Sequence, residues 1–193
     1  MDKRPILLTG LLLSLGLAGA PAQAAQSGDG DGRTASLDQQ QQRHQQRHQS
    51  VREQAQYDTQ LQALKAQGNF TTLLDGLERA GLTGLLTGNG PHTLFAPTDD
   101  AFARMPDEQR RILEGDDVER LRKLLRYHLL PGLLPGDSLG TIEHPQALTG
   151  QLTIRQADDH YTVNGADIAP SQIVTRNGII HPIDQVLVPY YEN

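Results

Sequence analysis

Large apolar side chains are confined to one part of this chain, and that confinement decides where it can fold. From Ala25 to about residue 56 the sequence runs through Gly28-Asp29-Gly30-Asp31-Gly32, then Gln39 to Gln42, then Gln-Gln-Arg-His twice, ending at His44 and His48. A stretch with almost nothing apolar to bury cannot offset the entropy of ordering itself, so residues 25–56 read as a Gln-rich linker without fixed structure, or a frayed polar helix. Residues 57–190 carry apolar side chains at helix and strand spacings, and a segment of that size buries about two-thirds of its unfolded surface around one core. Residues 191–193 are a short tail.

Within the polar stretch, His44 and His48 have the four-residue spacing that sets two imidazoles on one helix face. Arg43 and Arg47 beside them repel a cation, and the duplication is a low-complexity pattern, so no metal site is expected. The Gly-Asp run lacks the downstream glutamate of a calcium loop and reads as spacer.

The first 24 residues have the layout of an export signal. Lys3 and Arg4 form a basic head, Ile6 to Ala18 is apolar, and Ala22-Gln23-Ala24 offers small residues for cleavage. At helical rise the apolar stretch reaches about 20 Å, short of the roughly 30 Å hydrocarbon core, so it is a cleavable signal and not a span. The expected location is therefore secreted or periplasmic, with no stable membrane insertion after cleavage. The short Ala-rich signal and the missing cysteines have a bacterial look. Asn69-Phe70-Thr71 is a glycosylation sequon, which matters only in a eukaryotic host; otherwise Asn69 helps start the following helix.

Composition removes several functions. The 17 Lys+Arg against 23 Asp+Glu give a net charge of -6, which opposes a nucleic-acid binder because phosphates need clustered cations. The chain has no cysteine, which excludes disulfides, thiolate zinc, a cysteine nucleophile and a diacylglycerol anchor. Stability must come from packing.

The first half of the folded segment reads as helices. Leu61 and Leu64 belong to a short helix, and Phe70, Leu73, Leu74 and Leu77 follow three- and four-residue steps up to a stop at Gly81. Asp116 with Glu119 looks like a capping pair, Val118, Leu121, Leu124 and Leu125 mark the buried face, and Pro131 ends that helix. The second half reads as strands. Leu152-Thr153-Ile154 alternates, Tyr161-Thr162-Val163 connects to Ala166-Asp167-Ile168 through the hairpin turn Asn164-Gly165, and Ile173-Val174-Thr175 connects to Gly178-Ile179-Ile180 through a turn centred on Asn177-Gly178. Helices first and hairpins later imply an α+β fold with an antiparallel sheet.

Three segments, Thr93-Leu94-Phe95-Ala96-Pro97-Thr98-Asp99-Asp100-Ala101-Phe102, Tyr127-His128, and Asn177-Gly178-Ile179-Ile180-His181-Pro182-Ile183-Asp184-Gln185-Val186-Leu187-Val188-Pro189, resemble in order the signatures of the fasciclin (FAS1) domain family. The resemblance covers about residues 60 to 190 and implies a β-sandwich-like antiparallel wedge with a cluster of helices. It further implies a secreted, non-catalytic module of cell adhesion or matrix interaction, meeting an extracellular or cell-surface protein or glycan. Some members bind carotenoids, so the alternative is a carrier of a lipophilic small molecule. No cofactor is expected.

The residues themselves favour structural roles. Thr98 caps a helical turn, and Asp99 and Asp100 suit its N-terminus better than they suit an acid/base pair. Ile179, His181 and Ile183 share a strand face, so His181 reads as a hydrogen-bonded core residue. Pro182 lacks a donor, which places its strand at a sheet edge or leaves that position unpaired. There is no Gly-x-Ser-x-Gly, phosphate loop or His-Glu-x-x-His, and no catalytic residue is assigned. Tyr127 and His128 match the segment linked to adhesion, which makes them candidate partner contacts. Their register with Leu121 and Leu124 argues instead that both are packed.

Overall fold

The computed structural model describes residues 53–189 and, before them, Gln42, Arg43, Gln45, Gln46 and Gln49, which are helical and exposed. The signal segment, the Gly-Asp run, His44, His48 and residues 191–193 lie outside the described residues. Among those described, no helix is long and apolar enough to cross a membrane.

Three helices open the domain: α1 (Gln60–Gln67), α2 (Thr71–Arg79) and α3 (Thr83–Thr87). Strand β1 (His92–Pro97) follows, then α4 (Asp99–Ala103), α5 (Asp107–Glu114) and α6 (Val118–Tyr127). The remainder is β2 (Leu129–Pro131), a 3-10 turn (Gly136–Thr141) and seven further strands. These are β3 (Gln146–Ala147), β4 (Gly150–Gln151), β5 (Ile154–Ala157), β6 (His160–Val163), β7 (Ala166–Asp167), β8 (Ile173–Thr175) and β9 (Gly178–Ile183). Helices dominate the first half and strands the second, as an α+β fold requires, but β1 lies between α3 and α4 and the sheet expected to be antiparallel is mixed, because β1 and β9 enter it from the same end.

The main sheet has the order β2-β1-β9-β8. Its outer pairs are antiparallel, but β1 and β9 run parallel from His92 opposite Gly178 to Pro97 opposite Ile183. Alternating side chains send Leu94, Ala96 and Ile180 into a core shared with Phe70, Leu73 and Leu124. Phe95 and Ile183 point the other way, into a second core with Tyr127 of α6, Leu152, and Ile154 and Val163 from the smaller β5-β6-β7 sheet. Both faces of the central strands are thus buried, and fully burying a side chain of this kind contributes about 1.5–3 kcal/mol.

Several local expectations need correction. Strand β9 is central, so of the two placements open to Pro182 the edge is excluded and the unpaired one holds on the β8 side: pairing with β8 ends at Ile180, and beyond it the Pro182 carbonyl accepts the Ala169 N–H at 2.9 Å. The cap of α6 is Asp117, whose Oδ1 accepts the Arg120 N–H at 3.0 Å; Glu119 pairs with Arg122 instead. That helix stops at Tyr127, with His128 as C-cap, before Pro131, which lies at the end of β2. The β8–β9 turn is Arg176-Asn177, with Gly178 already in the strand. At Asn164-Gly165 the expected turn is present, with φ of 49° and 87°.

Candidate functional site

The three signature segments converge on the interior. Asp99 does more than begin α4: its carboxylate accepts the Thr71 N–H at 3.1 Å, the Thr72 N–H at 2.8 Å and the Thr71 hydroxyl at 2.9 Å, so it caps α2 from another element. Partial burial raises its pKa, but the Thr72 and Thr71 donors outweigh that and hold the carboxyl below its ordinary value. Thr98 caps α4 itself, accepting the Ala101 N–H at 3.3 Å. The Asn69 side chain is exposed, and the Asn69 backbone carbonyl accepts the Asp99 N–H at 2.9 Å.

His128 is 0% exposed and Tyr127 5%. The His128 Nδ1–H donates to the Leu124 carbonyl and its Nε2 accepts the Leu187 N–H, each at 2.9 Å, which defines one neutral tautomer. Burial pushes its pKa down to about 4, against the opposing pull of the Leu124 carbonyl. The Tyr127 hydroxyl donates to the Gln151 carbonyl at 2.8 Å and accepts from Asn164 Nδ2 at 2.9 Å. His181 stacks on Phe95 with centroids 5.6 Å apart and bonds the Leu134 carbonyl at 2.7 Å; burial lowers its pKa too. Neither Tyr127 nor His128 presents a ring to solvent. Both hold the end of α6 to the following sheet and the C-terminal segment.

Tyr127 nevertheless marks a place at the surface. It lies in the floor of an open groove of about 590 Å³ between the outer face of β5–β6 and residues 185–188. Thr153, Arg155, Thr162 and Asn164 form one wall; Gln185, Val186 and Val188 form the other. The sequence pattern places Thr153, Thr162 and Asn164 in strands and a turn but does not mark them as a site, although the alternation is readable. Leu152, Ile154 and Val163 point inward, so Gln151, Thr153 and Arg155 alternate outward with Thr162 and Asn164 opposite. Asn164 is held rigidly, its Oδ1 accepting the Thr153 N–H at 2.8 Å.

A second, shallower depression of about 340 Å³ has an apolar floor from Ile168, Ala169, Pro170, Pro182 and Ile183. His160 stands on its rim, 3.1 Å from Asp167 and 3.4 Å from Asp159; Asp159 foremost, and then Asp167, raise its pKa. Among the described residues no cluster of histidines and carboxylates is arranged to hold a metal ion.

A helical layer on a mixed sheet, with buried His128 tying the last segment to α6, defines an α+β domain of one recognisable class. The fasciclin domain model matches residues 68–189, and the chain belongs to that family. Protein sll1483 of Synechocystis sp. is 35% identical over 127 residues, covering 64% of this chain and 71% of the relative. Periostin of Homo sapiens is 37% identical over 129 residues, covering 65% of this chain and 15% of its own length. Transforming growth factor-beta-induced protein ig-h3 of Sus scrofa is 33% identical over 132 residues, covering 68% and 19%. The chain thus spans less than a fifth of these two animal proteins. A FAS1 domain pair from the insect cell adhesion molecule Fasciclin I shares the fold, with a TM-score of 0.60 at 16% identity over 69% of this chain and 51% of that one.

Proposed function

We propose that this domain is an exported, non-catalytic recognition module of the adhesion or matrix-interaction type, meeting a protein or glycan partner across the groove over Tyr127. The observation that carries this reading is the groove's lining: hydroxyl, amide and guanidinium groups on a rigid hairpin, facing an extended segment. Such a surface suits a polar partner held by many modest contacts. The acidic and imidazole side chains of the family segments support it further, because Asp99, His128 and His181 are already committed to hydrogen bonds that hold the fold. The lining disfavours the lipophilic carrier, which needs an enclosed apolar cavity.

Attachment of cells or native matrix to a surface coated with the purified protein tests this reading. Thr162→Trp, which fills the groove from a half-buried strand position, is expected to abolish attachment while leaving the melting temperature within a few degrees. Attachment unchanged by the variant, or a coloured organic-solvent extract of the purified protein, would overturn it.

A further inference from the structure

We infer that the groove over Tyr127 binds a saccharide bearing an isolated carboxylate, with Arg155 as the anion partner; this rests on the recognition reading above and narrows it to one chemistry. The argument starts from the charges. Arg155 is the one charged side chain among the residues that line the groove, and no carboxylate shares that lining. Among the described residues no ion pair engages it, and it is exposed on β5. A guanidinium beside hydroxyl and amide groups is a fork for one planar carboxylate.

The remaining lining selects the rest of the ligand. Thr153, Thr162, Gln151 and Gln185 offer groups that both donate and accept, as sugar hydroxyls do. A protein partner would call for an apolar centre with aromatic anchors, and the groove's aromatic, Tyr127, is buried with its hydroxyl occupied on both sides. Half-buried Val186 and Val188, packed partly on the main core, supply instead a small apolar strip on which the C–H face of a pyranose ring can rest. Asn164, fixed by Thr153 and Tyr127, makes the hairpin wall rigid, so little ordering entropy opposes binding. The charge of the whole chain, -6, repels a densely charged polymer. One carboxylate among neutral sugars is the pattern that fits.

The test titrates the purified full chain with a tetrasaccharide ending in glucuronate and with the same molecule carboxyl-reduced, following backbone amide shifts by NMR. The acidic sugar is expected to shift the amides of Thr153, Arg155, Thr162 and Asn164, and to bind about tenfold more tightly than its reduced form. Arg155→Gln, at an exposed position, should keep the parent's melting temperature and erase that tenfold difference. Equal binding of the two sugars, shifts confined to other surfaces, or no shifts at all would overturn the inference. Matrix attachment measured in parallel separates the two readings: attachment that persists with no saccharide binding removes the saccharide and leaves the recognition module standing.

Discussion

The imidazole of His128 accepts the backbone N–H of Leu187, 59 residues further along the chain. A protonated ring has no lone pair for that bond, so the contact exists only in the neutral form. The folded pKa lies near 4 and the unfolded value near 6.5. The unfolded chain therefore binds more protons at intermediate pH, and this contribution is complete above pH 6.5 and lost as the pH falls through 4. A gap of that size corresponds to roughly 3 kcal/mol. Urea unfolding at a series of pH values from 7.5 to 4 should show stability falling with acidification, and His128→Asn should flatten the slope. The slope will not vanish, because buried His181 is shifted in the same direction. A parent protein equally stable at both ends would contradict the assignment.

Tyr127 separates packing from hydrogen bonding. Tyr127→Phe leaves Asn164 Nδ2 and the Gln151 carbonyl without their partner, which should cost about 1–2 kcal/mol. Tyr127→Ala also removes the ring and should cost about 3–5 kcal/mol. His128→Ala should likewise lower the melting temperature. Any attachment these variants lose is expected to be lost through unfolding. Variants that melt like the parent yet no longer attach would make the pair a direct contact.

The two adjacent aspartates should behave differently. Asp99→Ala removes the acceptor shared by Thr71 and Thr72 and should destabilise by about 1–2 kcal/mol, as the loss of a helix cap does. Asp100 is exposed, so Asp100→Ala should stay within about 0.5 kcal/mol. Because the Asp99 pKa is depressed, its contribution is present above the ordinary carboxylate range and disappears as the pH falls below it. Equal melting points for the two variants would remove the capping role.

Two glycines test two different constraints. Gly165 has φ of 87° with nothing within 4 Å of an added Cβ, so Gly165→Val is opposed by backbone conformation alone and should cost about 1–3 kcal/mol. At Gly178 an added Cβ would strike the His92 carbonyl and lie 2.6 Å from Gln60 Nε2. Gly178→Ala should be at least as damaging, since the parallel β1–β9 pairing would have to shift. Thermal melts of both against the parent decide the matter.

What the sequence revealed and what it hid follow from the range of each interaction. The Asn164-Gly165 turn and the buried Leu121, Leu124 and Leu125 depend on neighbours a few residues away and are where the pattern places them; Val118, expected on the same face, is exposed because it stands in the first turn of α6. The α6 cap slipped by one residue because Asp116 and Asp117 are chemically alike, and only backbone direction chooses between them. Pro182 leaves two placements open because a missing donor signals an edge only if the neighbouring strand extends that far, and the choice depends on where β8 ends. Asp99 was legible as a capping residue but not as the cap of α2, which requires two helices to meet. The groove was hidden for the same reason. The outward alternation of Gln151, Thr153 and Arg155 is readable, but its second wall comes from residues 185–188.

The parallel pairing of β1 with β9 also sets the order in which this chain can become a protein. Leu94 and Phe95 receive their central neighbours Ile180 and His181 only after nearly the whole domain has been made. Contacts so distant along the chain close slowly, because the entropy of the intervening loop is lost before the sheet repays it. A chain ending before Gly178 lacks the strand that pairs with β1 along its whole length. The two cores that meet across β1 and β9 are therefore joined late, once the C-terminal strand is available to both.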